Sequence, residues 1–442
     1  MKKKTLKAVA STMVLTFGLS VVPMPAHAVS TNIVSETKNK NTLTISQIQD
    51  LAVIYNDTAQ KLQLNMKQID LGEQMTRNER HSLENSINSM GGSSMGDSSS
   101  AALQKEIQEF IATNYPNDPE AAKEDSEYKY LMLKLENAIA MEQSMAASVQ
   151  SGLDSALAGI DQINDSLDDL ENNKDDLNKA MKDLETQMRY TAASLSLSAI
   201  QLEKSIALLE DQITLADKSV QIAELQQKLG MNIVTDVEAQ QANKKEAEKN
   251  LEDMEENLST VKRNINILIG RNAGNPLEIV PMNLPVAIDP APAYTEALID
   301  KFVDNNYTLK TLERDKADLK DSVDSDMGSD ERQNVDYQVE AKNQEIKNQE
   351  QAVEDNLKAM LAKINSDGEA YKVSRQKYVT EKKNFEFTQK KYELGMISEI
   401  QLRQAELSLK TAEMTNMQNG YQYYLDWQKY YAAEKGVDVS AL

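Results

Sequence analysis

The sequence predicts an all-α protein made of long antiparallel helical hairpins, arranged as two repeats. None of its nine prolines lies between residues 120 and 275 or after residue 293, and proline is the strongest helix breaker. Aromatic residues make up only 5% of the chain, and Gly is sparse, a composition typical of extended helices. Two similar glycine turns, at 229–231 and 394–396, each separate two helical stretches.

The two turns share one local pattern. Gly230 and Gly395 provide the positive φ that ends a helix. A Thr or Ser then precedes the next helix, with a Glu or Gln three residues later, which is the spacing of a capping box. The predicted caps are Thr235 with Glu238 and Ser398 with Gln401. These turns are the first place to look for function.

A proline-rich linker divides the chain. Five prolines lie within residues 276–292. We expect a first helical repeat over residues 29–275, with a flexible Gly/Ser loop at 89–100 and a hairpin turn near 229–237. The second repeat is expected over residues 293–442, with its turn near 394–401.

Seven-residue spacing predicts the helices of the first repeat. Its first helix is expected to start near Ser46, with Gln49 completing a capping box. A longer arm is expected from Ser126 to Leu229, about 150 Å at 1.5 Å per residue, with Gly152 as a point where it divides. The coiled-coil-type seam of this arm comprises Ile160, Ile163, Leu167, Leu170, Leu177, Met181, Leu184 and Met188.

The first 28 residues resemble a secretory signal. Four lysines precede an apolar run from Ala8 to Val22, and small residues at Ala26 and Ala28 mark a cleavage site after Ala28. We therefore expect a secreted, extracytoplasmic protein of the cell envelope. The mature chain offers no apolar run long enough for a membrane span.

Charge and composition exclude several functions. The net charge of −22 falls to −26 on removal of the signal, which carries four lysines and no acids, so the surface should repel nucleic acid. With no cysteine and one histidine in the mature chain, His81, a catalytic triad or metal site is hard to build. We expect no enzyme activity and no cofactor.

Aromatic residues cluster at the end of the last predicted helix. They are Tyr421, Tyr423, Tyr424, Trp427, Tyr430 and Tyr431. The favoured interpretation is that they pack the base of the bundle. A ligand or glycan surface is the alternative.

Four motifs in order resemble the TolC-like outer-membrane efflux protein family. The two repeat starts are TLTISQIQDLAVIYNDTAQKLQL and YTEALIDKFVDNNYTLKTL, and the two turns are LGMNIVTDVEAQQ and YELGMISEIQLRQAELSLKTAE. The resemblance implies a trimer whose helices form a hollow tube and whose turns dock onto a periplasmic adaptor linked to an exporter.

The docking residues it implies are Leu229, Gly230, Met231, Thr235, Asp236, Gly395, Met396 and Ser398. It also implies entrance carboxylates at Asp236 and Glu399. A turn that only reverses the chain would carry the same glycines and caps.

One feature departs from that family. Where the family inserts membrane-spanning strands, the second repeat has only DSVDSDMGSDERQ, residues 321–333, which is too short and polar for such strands. We therefore expect a relative without the transmembrane β-barrel. Two functions remain: a helical component of an efflux or export system, or a structural coiled-coil protein of the cell envelope without a transport role.

Overall fold

The computed structural model describes residues 37–91, 99–116, 118–230, 234–323 and 327–439. The predicted signal segment with its cleavage site after Ala28, and residues 92–98 of the predicted Gly/Ser loop, lie outside the described residues.

The described chain is almost entirely helical, which confirms the predicted fold class. Its elements in order are strand β1 (Thr42–Thr44), helices α1 (Ile45–Ile54), α2 (Asp57–Gly91) and α3 (Ser99–Asn114), a 3₁₀ turn (Pro119–Glu124), α4 (Ser126–Lys228), α5 (Val234–Leu268), β2 (Glu278–Val280), α6 (Glu296–Asn305), α7 (Tyr307–Asp321), α8 (Ser329–Glu393) and α9 (Glu399–Glu434).

Helix α4 is the longest of the described helices, and α1, α2, α3, α5 and α9 pack on it. It runs for 103 residues without a break at Gly152, so the expected division there is wrong. A glycine inside a helix costs only about 1 kcal/mol, which flanking turns of good helix formers offset. At 1.5 Å per residue α4 is about 155 Å long.

Two helices pack antiparallel to α4, one along each half. Helix α2 follows the first half, where a Cβ at Gly72 would lie 3.8 Å from Leu170. Helix α5 follows the second half, where Lys262 pairs with Glu203 at 2.7 Å and Lys244 with Asp217 at 2.6 Å. The order of these contacts shows that α5 runs back along α4.

The start of α1 differs from the expectation. Thr44, rather than Ser46, is the N-cap, and Gln47 completes its capping box. Gln49 is buried instead, and its side-chain amide donates to the carbonyl oxygen of Arg189 on α4, at 3.1 Å. The same Thr/Ser-x-x-Gln spacing occurs twice in succession, and packing against α4 selects the earlier one.

The two short strands pair in parallel, which the sequence pattern did not predict. Leu43 lies opposite Ile279, and both are buried. The Thr42 hydroxyl also donates to the Glu278 carboxylate at 2.8 Å. The pair attaches the proline-rich linker to the beginning of the first repeat.

The core lies around residues 192–200 of α4, where helices from both sides of the proline-rich linker meet. One buried cluster joins β1, α1, α4, α5, the linker and α9; the other joins α6, α7, α8 and α9. Tyr421, Tyr423 and Tyr430 are each at most 4% exposed. The interpretation that these three rings pack within the protein is therefore confirmed, although the core lies along α4 and not at an end of the bundle. Tyr431 is exposed and stacks on Trp427.

None of the helices in the described ranges is both long enough and apolar enough to cross a membrane.

Candidate functional site: the two helical turns

The turn between α8 and α9 is built as expected. Helix α8 ends at Glu393, and Gly395 has φ +71°. The Gly395 N–H donates to the Tyr392 carbonyl at 2.8 Å, and the Met396 N–H donates to the Lys391 carbonyl at 2.9 Å. These two bonds form a Schellman motif, which satisfies carbonyls that a helix end leaves free.

Ser398 caps α9 as predicted. The Ser398 N–H donates to the Gln401 side-chain oxygen at 3.0 Å, and the Gln401 N–H donates to the Ser398 hydroxyl at 3.4 Å. This reciprocal capping box fixes the direction in which the chain leaves the turn.

The turn after α4 is described only in part. Gly230 has φ +72°, and its N–H donates to the Gln227 carbonyl at 2.9 Å. Met231 and the side chains of Thr235 and Asp236 lie outside the described residues. Helix α5 is already helical at Val234, so the predicted N-cap at Thr235 is wrong, because the helix begins before that residue.

Both turns present large apolar side chains to solvent. Leu229 is 65% exposed, Leu394 75% and Met396 67%. A Cβ added to Gly230 or Gly395 would meet no atom within 4 Å, so there is open space beside both glycines. A turn needs no apolar side chain at these positions for its own geometry. Apolar groups collected at exposed positions are typical of surfaces that bind another protein.

A ladder of ion pairs holds α9 against α4 as far as the turns. On α4 the members are spaced seven residues apart, so they share one face. The pairs are Lys204 with Glu413, Asp211 with Lys410, and Lys218 with Glu399. Because these pairs connect α4 with α9, the ladder places the second turn beside the last part of α4.

Glu399 is engaged within the chain. The hydrogen bond and charge of Lys218 hold the pKa of the Glu399 carboxyl below its usual value, and Arg403 lies 3.8 Å away. Its partner Lys218 was not identified from the sequence. The seven-residue spacing of Lys204, Asp211 and Lys218 could have indicated a charged face on α4, but the sequence does not show which helix packs against that face.

The described residues contain no group of three or more His, Asp or Glu side chains arranged to hold a metal ion. His81 lies exposed on α2, with its Nδ1 3.1 Å from the Glu84 carboxylate.

Comparison with solved structures finds similar chains among membrane proteins. The CmeC outer membrane channel of Campylobacter jejuni is 10% identical with a TM-score of 0.49, over 96% of this chain and 92% of that one. The outer membrane protein VceC of Vibrio cholerae is 11% identical with a TM-score of 0.45, over 62% of this chain and 76% of that one. CusC, a transmembrane channel, is 13% identical with a TM-score of 0.44, over 62% and 74%.

No protein-family model matches the chain, and no curated protein matches its sequence.

Proposed function

We propose that this protein is an extracytoplasmic helical component of an efflux or export system, which docks through its two hairpin turns onto an adaptor or exporter. The observation that carries this proposal is the set of exposed apolar residues Leu229, Leu394 and Met396 at the ends of long hairpins. The ion-pair ladder supports it, because it places both turns at one end of the molecule.

The docking surface includes the turn residues as well as the apolar ones. Its members are Leu229, Gly230, Met231, Thr235, Asp236, Gly395, Met396 and Ser398. The four ordered sequence motifs support this assignment. We propose that the predicted signal is removed after Ala28 and that the mature protein lies in the cell envelope.

A second copy of this chain is the other proposed partner. Four positions with seven-residue spacing form an exposed stripe on α8: Val373, Thr380, Phe387 and Leu394. Lysines flank this stripe, whereas α5 exposes four acids, Glu252, Asp253, Glu255 and Glu256. Lys372 and Lys377 lie roughly twenty residues from the turn at Gly395, and the four acids lie about as far from the turn at Gly230. Such complementary, level surfaces favour side-by-side assembly into a closed ring. The family resemblance in the sequence implies that this ring is a trimer.

We expect Lys372→Glu combined with Lys377→Glu to dissociate the oligomer, because two introduced carboxylates would then face the four acids of α5. Multi-angle light scattering measures the mass of the full chain. The control is Lys105→Glu, which reverses a 79% exposed lysine on α3. A wild-type protein that is an elongated monomer would contradict a conduit and favour the structural coiled-coil alternative.

We expect a photo-crosslinking residue introduced at Leu394 to capture an adaptor or exporter in cells. We also expect Leu394→Glu to abolish export by the system to which the captured protein belongs. The control is Val286 in the linker, which is 74% exposed and therefore as accessible as Leu394. Mass spectrometry identifies the captured protein. Equal crosslinking at both positions, or capture of neither an adaptor nor an exporter at Leu394, would reject docking through the turns.

A further inference from the structure

A polar cluster lies where α4, α8 and α9 meet, far from the turns. Its centre is Asp426 on α9, which is only 5% exposed. One oxygen of its carboxylate, Oδ1, accepts a hydrogen bond from the Gln422 amide at 3.0 Å. The other, Oδ2, is buried and receives no hydrogen bond from an N–H or O–H group. A buried carboxylate oxygen without a donor is costly, because nothing replaces the water it has lost.

The nearest group that can complete this site is a second carboxyl. Asp367 on α8 lies within hydrogen-bonding reach of the Asp426 carboxyl, and its Oδ2 accepts from Lys363 Nζ at 2.6 Å. Two carboxylates in contact cannot both remain ionised in a buried site, since like charges repel strongly where water is excluded. One proton between them removes the repulsion and supplies the missing donor.

We propose that Asp367 and Asp426 bind one shared proton and so form a proton-dependent latch between α8 and α9 at their contact with α4. This site is independent of the docking surface at the turns. A metal ion fits less well than a proton, because two lysines, Lys363 and Lys429, already face the pair.

The charged and titratable groups around the pair come from all three helices. Lys363 is on α8, Lys429 is on α9 and Tyr190 is on α4, with Lys429 Nζ 5.0 Å from the centre of the Tyr190 ring. Burial lowers the pKa of Lys429 and raises the pKa of Tyr190. Burial in this setting, together with the Asp367 carboxyl, raises the pKa of Asp426 to about 6.

The sign of the pH effect follows from these shifts. Asp426 is protonated up to a higher pH in the folded chain than at its usual value of 3.8. Its contribution to folding is therefore complete below about pH 4 and is lost as the pH rises to about 6. Burial acts to raise the pKa of Asp367, but its hydrogen bonds with Asp426 and Lys363 lower it overall. Of the two carboxyls, Asp426 therefore holds the shared proton more tightly than Asp367.

The size of the effect follows from the same shift. A difference of about two pKa units corresponds to roughly a hundredfold change in the folding equilibrium constant. Asp426 is almost fully buried, so solvent screens this effect little.

The test is Asp426→Asn in the full chain, because the amide keeps the shape and donates a hydrogen bond to Asp367 at every pH. We expect the variant and the wild type to unfold at similar temperatures near pH 4.5. At pH 7.5 the variant should be more stable than the wild type, with a folding equilibrium constant up to roughly a hundredfold larger. Comparing the two proteins at each pH cancels the titration of every other carboxyl.

Asp367→Asn is the second variant, should the first not fold. It also places an amide beside Asp426, so the loss of stability between pH 4 and 6 should shrink. Hydrogen exchange of the α8 and α9 amides near the pair gives an independent measure. In the wild type the exchange rate should increase with pH by more than the intrinsic exchange rate does. A difference between variant and wild type that does not change with pH, or a destabilised variant at pH 7.5, would overturn the latch.

Discussion

Replacing Gly436 with alanine is expected to destabilise the protein by about 3 kcal/mol, although the substitution only adds a methyl group and removes no contact. Gly436 has φ +91°, and a Cβ there would lie 1.9 Å from the carbonyl oxygen of Asn305. The left-handed conformation alone costs alanine about 1–2 kcal/mol. The clash adds to this because it is with backbone, which moves only if α6 shifts. Denaturant unfolding measures the loss.

Gly230→Ala and Gly395→Ala are the matched controls for this prediction. Both glycines have a positive φ close to +70°, but a Cβ at either position would meet no atom within 4 Å. They should therefore cost only the 1–2 kcal/mol of the left-handed backbone. Equal losses at all three glycines would show that the contact with Asn305 contributes nothing.

Replacing Tyr371 with alanine is expected to cost about 3–5 kcal/mol, the usual range for removing a buried aromatic ring. Tyr371 is 2% exposed on α8, and its ring lies 6.1 Å from that of Tyr423. Its hydroxyl donates to the Pro285 carbonyl at 2.9 Å, which attaches the linker to the second hairpin. Thermal and denaturant unfolding both report the loss.

Two controls separate the ring from the hydroxyl and from the helix. Tyr371→Phe keeps the ring and should cost only about 1–2 kcal/mol for the unpaired carbonyl. Tyr337→Ala removes a tyrosine that is 61% exposed on the same helix and should cost under about 1 kcal/mol. A Tyr337 variant as unstable as the Tyr371 variant would mean that burial is not the cause.

The sequence by itself determined the helices and the second turn. The predicted arm from Ser126 to Leu229 matches α4. Gly395 and Ser398 have the predicted conformations. These features depend on residues within a few positions of one another: glycine at a positive φ, a capping hydroxyl, and the absence of proline. Local chemistry of this kind is readable without the fold.

Only the tertiary structure decided which helices face each other and what lies between them. The cap at Thr44 instead of Ser46 depends on Gln49 reaching α4. The pairing of β1 with β2 joins segments more than 230 residues apart. The contact of Asp367 with Asp426 and the pairing of Lys218 with Glu399 likewise join distant helices. A single sequence shows the spacing of charges along each helix, but the energy of a charge depends on its burial and on its neighbour, and both are set by packing.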